Sequence, residues 1–168
     1  MRIVLVIVAV IVGIVLLVTI IGALLPKRHE ATRSTLLNAP PADVYRALTA
    51  FEAAPQWRAD AKRVELLGEV DGRLRFREHG QHGTVTYEVV RQVPPELLVT
   101  RIVDRDLGYS GSWTYALAPE GAGTRLTITE RGEVSNVIFR FLSRFVFGHT
   151  ATMDKYLASL PAHLARRA

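Results

Sequence analysis

The stretch that decides the fold is residues 108–134, GYSGSWTYALAPEGAGTRLTITERGEV. Apolar and polar residues alternate on both sides of the turn-forming segment APEGAG, a pattern typical of two antiparallel strands with one buried face. If Leu117 faces Leu126, then Tyr115 pairs with Ile128 and Trp113 pairs with Glu130. One face of this hairpin is then apolar and aromatic, which predicts an antiparallel sheet with a core on one side.

A second hairpin precedes it in the sequence RLRFREHGQHGTVTYEVV, residues 73–90. A two-residue loop at Gln81 and His82 sets Phe76 opposite Tyr87, while the arginines at 73, 75 and 77 take the other face. Residues 63–134 are therefore predicted to form a meander of antiparallel strands.

The segments that flank the meander show helical patterns. Pro40 and Pro41, followed by Asp43, mark the start of a helix after a short strand. From Ser135 to about Ala165 the apolar residues recur at helical spacing, and Gly148 is expected to mark a bend. The stripe, which we expect on the inner face of the sheet, contains Ile138, Leu142, Phe145, His149, Met153, Tyr156 and Leu160, with Phe141 at its border. The predicted fold class is α+β, a curved antiparallel sheet wrapped around a long C-terminal helix.

The N-terminal residues 3–25 are uncharged throughout, and 18 of these 23 residues are Ile, Leu or Val. As a helix at about 1.5 Å per residue this segment spans roughly 35 Å, enough to cross a hydrocarbon core of about 30 Å. The alternative is a cleaved signal peptide, but bulky Ile21 stands where a cleavage site before residue 24 needs a small residue. We therefore predict a transmembrane anchor at 1–26, a linker at 27–31 and a ligand-binding domain at 32–168.

The charge distribution bears on partners and on location. The net charge of +5 comes from 18 Arg and 3 Lys against 16 acids, and these cations are scattered rather than clustered, which disfavours a nucleic-acid role. The arginine-rich, lysine-poor composition is typical of a high-GC bacterial genome. Lys27, Arg28 and Arg33 outnumber Arg2 beside the span, so the soluble domain is predicted on the cytoplasmic side of the cell membrane.

Three histidines and two glutamates are the candidates for chemistry. His149 on the helical stripe and Glu130 opposite Trp113 are candidates for acid–base catalysis, although a core histidine and a strand-end carboxylate are the alternatives. Glu78 also falls on the apolar side of its strand, where it either faces a cavity, pairs with an arginine or meets water. Together with His79 and His82 it borders a tight turn, which indicates a solvated hairpin tip rather than a metal site. No metal and no cofactor are predicted.

Aromatic side chains on the inner faces are the predicted ligand contacts. Ordinary packing of a filled core is the alternative for each of them, because patterning identifies a buried face and not an empty space. The predicted set is Trp57, Phe76, Tyr87, Trp113, Tyr115, Phe141 and Phe145, joined by Glu130 and His149. A further expectation concerns Phe147, which would dip into the membrane interface while Arg140 and Arg144 meet headgroups.

The order of elements resembles a known family. The segments NAPPADVYRALTAFEAAPQW, GSWTYALAPEGAGTRLTITERGEV and RFVFGHTATMDKYLASLPAHL are similar to the START-like superfamily, also called SRPBCC or polyketide cyclase/dehydrase-like, with a Bet v 1-like helix-grip fold. The resemblance covers about residues 32–164. It implies an apolar cavity between the sheet and the C-terminal helix that holds a lipid, polyketide or other hydrophobic small molecule.

Three functions are compatible with this sequence. The first is a membrane-anchored domain that binds a hydrophobic small molecule or lipid. The second is a cyclase or dehydratase that acts on an aromatic or polyketide substrate. The third is a membrane-tethered module with a filled core that binds a protein partner.

Overall fold

The computed structural model describes residues 1–81, 83–148 and 150–166, except for the side chain of Phe147. The helices are α1 (Arg2–Leu24), α2 (Pro41–Thr49), a 3₁₀ helix (Phe51–Gln56), α3 (Val137–Leu142), a π-helical turn (Ser143–Phe147) and α4 (Ala151–Ala165). The strands are β1 (Arg28–Leu37), β2 (Ala61–Val70), β3 (Arg73–Gly80), β4 (Gly83–Val93), β5 (Leu97–Ile102), β6 (Tyr109–Glu120) and β7 (Gly123–Val134).

The seven strands form a single antiparallel sheet with the order β1-β7-β6-β5-β4-β3-β2. The predicted registers are confirmed, because Trp113 lies opposite Glu130, Tyr115 opposite Ile128 and Phe76 opposite Tyr87. Strand β1 closes the sheet by pairing with β7, the last strand in the sequence.

The core lies between the inner face of this sheet and helices α2 and α4. Leu98, Leu126 and Ile128 of the sheet are almost fully buried, as are Met153 and Leu160 of α4. The C-terminal half of the predicted helical stripe therefore packs on the sheet as expected. This α+β arrangement, a curved sheet that holds the C-terminal helix, confirms the predicted fold class.

The C-terminal helix is interrupted, and this corrects the predicted stripe. Gly148 has a φ of 74°, a conformation that glycine adopts more readily than other residues, and it separates the π-helical turn from α4. Ile138 and Phe145 are exposed instead of facing the sheet. The reason is that the helical structure breaks at Gly148, so that α3 packs mainly against α1 while α4 lies on the sheet.

The connection between α1 and the sheet is shorter than the predicted linker. Strand β1 begins at Arg28, which pairs with Glu133 at the end of β7, so only residues 25–27 separate the helix from the strand. Pairing supplies hydrogen-bond partners to the backbone of residues 28–31, which an extended linker would leave to water.

Helix α1 is a candidate membrane span. It has 23 residues and a mean hydropathy of 3.6 over its most apolar window, none of which is buried against the rest of the protein. A core helix of a globular domain would bury such a surface, whereas this helix exposes it on all sides except near Gly22.

Candidate functional site

An aromatic cluster occupies the inner face of the sheet, and Tyr156 of α4 stands at its centre. The Tyr156 ring contacts Trp57 with a centroid distance of 5.2 Å, and it contacts Trp113 and Tyr115 at 5.8 Å each. The rings of Trp57 and Trp113 meet Tyr156 edge-on, the geometry in which aromatic pairs attract. Because α4 lies across the sheet, its inward side chains meet those of β6.

Phe76 extends this cluster toward the β3 side of the sheet. It stacks on Phe51 of the 3₁₀ helix at 4.2 Å and on Tyr87 of β4 at 5.2 Å. Five of the predicted ligand contacts therefore come together on one surface, namely Trp57, Phe76, Tyr87, Trp113 and Tyr115. Their role as ligand contacts stays a prediction.

An ion pair that is mostly buried borders the aromatic cluster. Arg58 donates to both carboxylate oxygens of Glu78, with Nη1–Oε2 and Nη2–Oε1 distances of 2.8 Å. Its Nη2 also donates to Asp60 Oδ2 at 2.7 Å. The guanidinium carbon lies 5.0 Å from the centroid of the Tyr156 ring, so that the cation also faces an aromatic π-system. Glu78 thus points inward and pairs with an arginine, one of the alternatives raised for it.

The electrostatics keep the arginine charged and the tyrosines neutral. Burial by itself would lower the pKa of Arg58, but hydrogen bonds to Asp60 and the charge of Glu78 raise it above its usual value. Burial, together with the nearby Glu78 charge, raises the pKa values of Tyr87, Tyr115 and Tyr156. At physiological pH these side chains are therefore phenols, which can donate as well as accept hydrogen bonds.

The guanidinium of Arg58 is fully engaged by its carboxylate partners. The carboxylates of Glu78 and Asp60 both pair with the guanidinium of Arg58. Burial by itself would raise the pKa of Asp60, but the hydrogen bond and charge of Arg58, together with the charge of Lys155, lower it. Because both carboxylates already occupy the guanidinium of Arg58, a ligand carboxylate or phosphate would have to displace one of them. A neutral polar group such as a hydroxyl or a ketone suits this corner of the cluster better.

Glu130 forms a second polar feature on the inner face. Its Oε1 lies 3.3 Å from Nε2 of His29, and both side chains are mostly buried. The imidazole of His29 covers Gly132 on the adjacent strand so closely that a methyl group at this glycine would overlap the ring. Glu130 therefore faces inward, as the alternation predicts, with a histidine partner that sequence analysis did not propose.

The remaining predicted site residues lie elsewhere. Phe141 and Phe145 contact each other at 5.0 Å, but they belong to α3 and the π-helical turn, outside the core. The structure gives no support to these two residues as walls of an inner cavity. His149 falls outside the described residues, and so does the Phe147 side chain. Arg140 is buried, contrary to the expectation that it meets headgroups.

Sequence reasoning missed several residues of this site. Of these missed residues, only Tyr156 shows a signal in the sequence, because it lies on the predicted helical stripe. Arg58 and Asp60 lie in the irregular segment before β2, where no periodicity assigns a face. His29 falls in the segment predicted to be a linker, which hid its inward position on β1.

Two open grooves lie at the end of the sheet where α1 joins it. One groove of about 460 Å³ is bordered by residues 28–30 and 131–133. The other, of about 520 Å³, is lined by Leu107, Tyr109, Ile138, Phe139 and Leu142 among others. In the described structure, aromatic rings occupy the space between the sheet and α4, and Trp113 and Tyr87 are only partly buried.

One protein family shares this order of elements. Residues 28–165 match the sequence profile of the family described as polyketide cyclase/dehydrase and lipid transport. The chain belongs to this family. Its polyketide cyclase/dehydrase and lipid transport domain thus begins with β1 and ends with α4, and it excludes α1. No curated protein matches the sequence significantly.

Solved structures share the fold of this family member at low sequence identity. A START superfamily protein from Mycobacterium smegmatis has a TM-score of 0.65 and 18% identity, over 83% of this chain and 99% of that one. The Zhui aromatase/cyclase from Streptomyces sp. R1128 has a TM-score of 0.65 and 15% identity, over 83% and 95%. The di-domain ARO/CYC StfQ has a TM-score of 0.67 and 14% identity, but this chain covers only 51% of it. These similarities establish the helix-grip fold and nothing about the ligand.

Proposed function

We propose that this protein binds a hydrophobic small molecule or lipid between the sheet and α4 while α1 holds it in a membrane. The observation that carries the proposal is the aromatic cluster around Tyr156, bordered by the buried Arg58–Glu78 pair. An apolar surface with a few convergent polar groups is the usual composition of a small-molecule site. The pairing of Arg58 with Glu78 and Asp60 favours a ligand whose polar group is neutral.

The contacts at the end of α1 support a retained anchor rather than a cleaved signal peptide. Arg140 is buried, and its Nη1 donates to the carbonyl oxygens of Gly22 and Leu25. Cleavage that removed these residues would take two hydrogen-bond acceptors from Arg140 and the packing of α1 from α3. The cytoplasmic location of the domain remains a proposal that follows from the flanking basic residues.

A quenching experiment tests the binding site directly. The only two tryptophans of the chain, Trp57 and Trp113, both belong to the aromatic cluster, and α1 contains none. A brominated monoacylglycerol quenches tryptophan at short range and carries a neutral headgroup. We expect saturable quenching when it is added to the full-length protein in detergent micelles, and none with the unbrominated lipid.

A matched variant separates specific binding from partition into the micelle. Tyr156→Glu places a charge at the centre of the cluster, whereas Ala158→Glu places the same charge on the exposed side of α4. We expect the first variant to lose saturable quenching and the second to retain it. If the wild-type protein shows no saturable quenching with this lipid or with a brominated aromatic ketone, the binding proposal is wrong and the filled-core interaction module becomes the better description.

A cyclase or dehydratase is the second candidate function. It is favoured by the neutral phenols of Tyr87, Tyr115 and Tyr156, which can donate hydrogen bonds to a carbonyl oxygen, and by the Zhui aromatase/cyclase among the structural neighbours. Glu130 is the candidate acid–base group on the inner face, with His149 as the other. Turnover of an aromatic β-hydroxy ketone, lost in Glu130→Gln but retained in Glu133→Gln, would support this function.

A further inference from the structure

Helix α1 is fastened to the domain by one buried arginine. Besides its bonds to Gly22 and Leu25, Arg140 donates through Nε to the carbonyl oxygen of Val134 at 3.0 Å and through Nη2 to that of Ser135 at 3.1 Å. All of these acceptors are main-chain carbonyls, and Leu25 lies at the C-terminus of α1, where the helix dipole favours a cation. Arg140 thus caps the candidate membrane span and joins it to the start of α3.

Close packing reinforces this joint between α1 and α3. Gly22 is the buried residue of α1, and a methyl group at this position would overlap the carbonyl oxygen of Val137 in α3. Phe141, one turn further along α3, lies on the same side. Gly22 is three residues from the end of the apolar segment, about 4.5 Å along a helix. Helix α3 is therefore level with the last turn of α1.

An exposed apolar surface continues from this joint. We call it the α3 patch, and it consists of the exposed side chains of Ile138, Phe139, Phe145 and Val146. Phe145 and Val146 are 60% and 62% exposed. The ring contact between Phe145 and Phe141 connects the patch to the surface of α1. A contiguous exposed apolar patch usually marks a contact surface, whereas hydrophobic side chains that are exposed singly do not.

The charges around the α3 patch fit a membrane surface. Lys27, directly after α1, and Arg144, within the π-helical turn, are both exposed. Neither forms an ion pair with a described residue, in contrast to Arg28, which pairs with Glu133. Cations beside exposed aromatic residues are the combination found in interfacial membrane contacts, where the cations meet anionic headgroups.

We propose that the α3 patch is a second membrane contact, with its side chains in the boundary between headgroups and acyl chains of the leaflet from which α1 emerges. The proposal rests on the membrane span in the proposed function, and the joint through Arg140 and Gly22 sets the depth of the patch. The groove lined by Leu107, Tyr109 and Phe139 then borders the lipid.

Spin labels test this placement, because the chain has no cysteine and single cysteines can be introduced cleanly. Three full-length variants are labelled and reconstituted in vesicles of phosphatidylcholine and phosphatidylglycerol. Val146→Cys reports on the α3 patch, and Val12→Cys reports on α1. Val70→Cys is the matched control, an exposed valine at the opposite end of the sheet. The measurement compares collisions with oxygen, which concentrates in lipid, and with a water-soluble nickel chelate.

We expect the labels at positions 146 and 12 to favour oxygen, the first less than the second, and the label at position 70 to favour the nickel chelate. A water-exposed label at 146 with a lipid-exposed label at 12 overturns the membrane contact and leaves the anchor intact. Water exposure at both positions overturns the anchor as well. Spectral broadening between labels at 146, with protection from both reagents, overturns the proposal in favour of a second copy that covers the patch.

Discussion

Single residues join α1 to the rest of the protein, and Arg140 is the most important of them. Its substitution by methionine keeps most of the length of the side chain but removes every hydrogen bond to the four carbonyls. We expect the free energy of unfolding to fall by about 1–3 kcal/mol, because buried acceptors lose their donor. Denaturant titration of the full-length protein in micelles, followed by tryptophan fluorescence, measures this change.

Arg144→Met is the control for that prediction, because Arg144 is exposed and lies one helical turn further along the chain. It should leave the free energy of unfolding within a few tenths of a kcal/mol of the wild type. An equal loss in both variants would mean that Arg140 acts through general charge and not through its carbonyl contacts.

Glu88 is a single residue whose contribution to stability depends on pH. On the outer face of the sheet it accepts from Arg75 at 2.9 Å and from Arg101 at 2.7 Å, with Arg73 at 3.3 Å. The hydrogen bond from Arg75, followed by that from Arg101, lowers the pKa of Glu88 below its usual value. Its stabilising contribution is therefore complete above the unfolded carboxyl pKa of about 4.3 and disappears as the pH falls through the lower folded value.

Glu88→Gln should accordingly unfold at a lower temperature than the wild type at pH 7, and this difference should shrink as the pH is lowered below about 4. Thermal unfolding at several pH values checks the trend. A constant difference across this range would show that Glu88 contributes through shape and not through charge.

At the scale of elements, the packing of α1 on α3 depends on a glycine. Gly22→Ala introduces a methyl group where the Val137 carbonyl lies, so the two helices have to separate. Gly13→Ala is a matched control within the same helix, because no atom lies within 4 Å of the added methyl group. We expect faster hydrogen exchange of the amides of residues 137–142 in the first variant only, since α3 is too short to be stable without this contact.

The break in the helix at Gly148 explains why α3 and α4 pack against different parts of the protein. Helical periodicity continues through residues 138–160, so the pattern alone predicts one long sheet-facing helix. A positive φ at one residue interrupts the helix, so α3 packs beside α1 and α4 packs on the sheet. Three of the four phenylalanines within Phe139–Phe147, at positions 139, 141 and 145, consequently belong to the helical surface beside α1.

For the whole molecule, the two proposals together predict a direct route for ligand from the bilayer. In vesicles, substituting Phe145 and Val146 by serine should slow the uptake of a brominated monoacylglycerol several-fold, as measured by the rate of tryptophan quenching. The extent of quenching at saturation should not change, because these residues lie outside the aromatic cluster. Ligand that is delivered in micelles should bind at the wild-type rate.

The comparison variant replaces Leu66 and Val70 by serine, two exposed apolar residues on β2, far from α1. Uptake from vesicles at the wild-type rate is expected for it. If both double variants slow uptake equally, surface hydrophobicity in general and not the α3 patch governs the transfer.

The sequence by itself determined the sheet, its register and the apolar N-terminal segment. Alternation of period two and the turn residues are local properties, so pairs such as Trp113 with Glu130 follow from the order of residues alone. The same alternation indicated most of the aromatic residues that surround Tyr156. These signals depend on neighbours in the chain or on adjacent strands.

Only the tertiary structure decided which residues meet across long distances in sequence. The Arg58–Glu78 pair, the His29–Glu130 contact and the bond from Arg140 to Gly22 join residues from irregular or distant segments. No periodicity encodes such contacts, because they depend on how the sheet curves and where the chain turns at Gly148. The physical reason is that burial on one face is a local pattern, whereas the partner of a buried charge is set by the packing of whole elements.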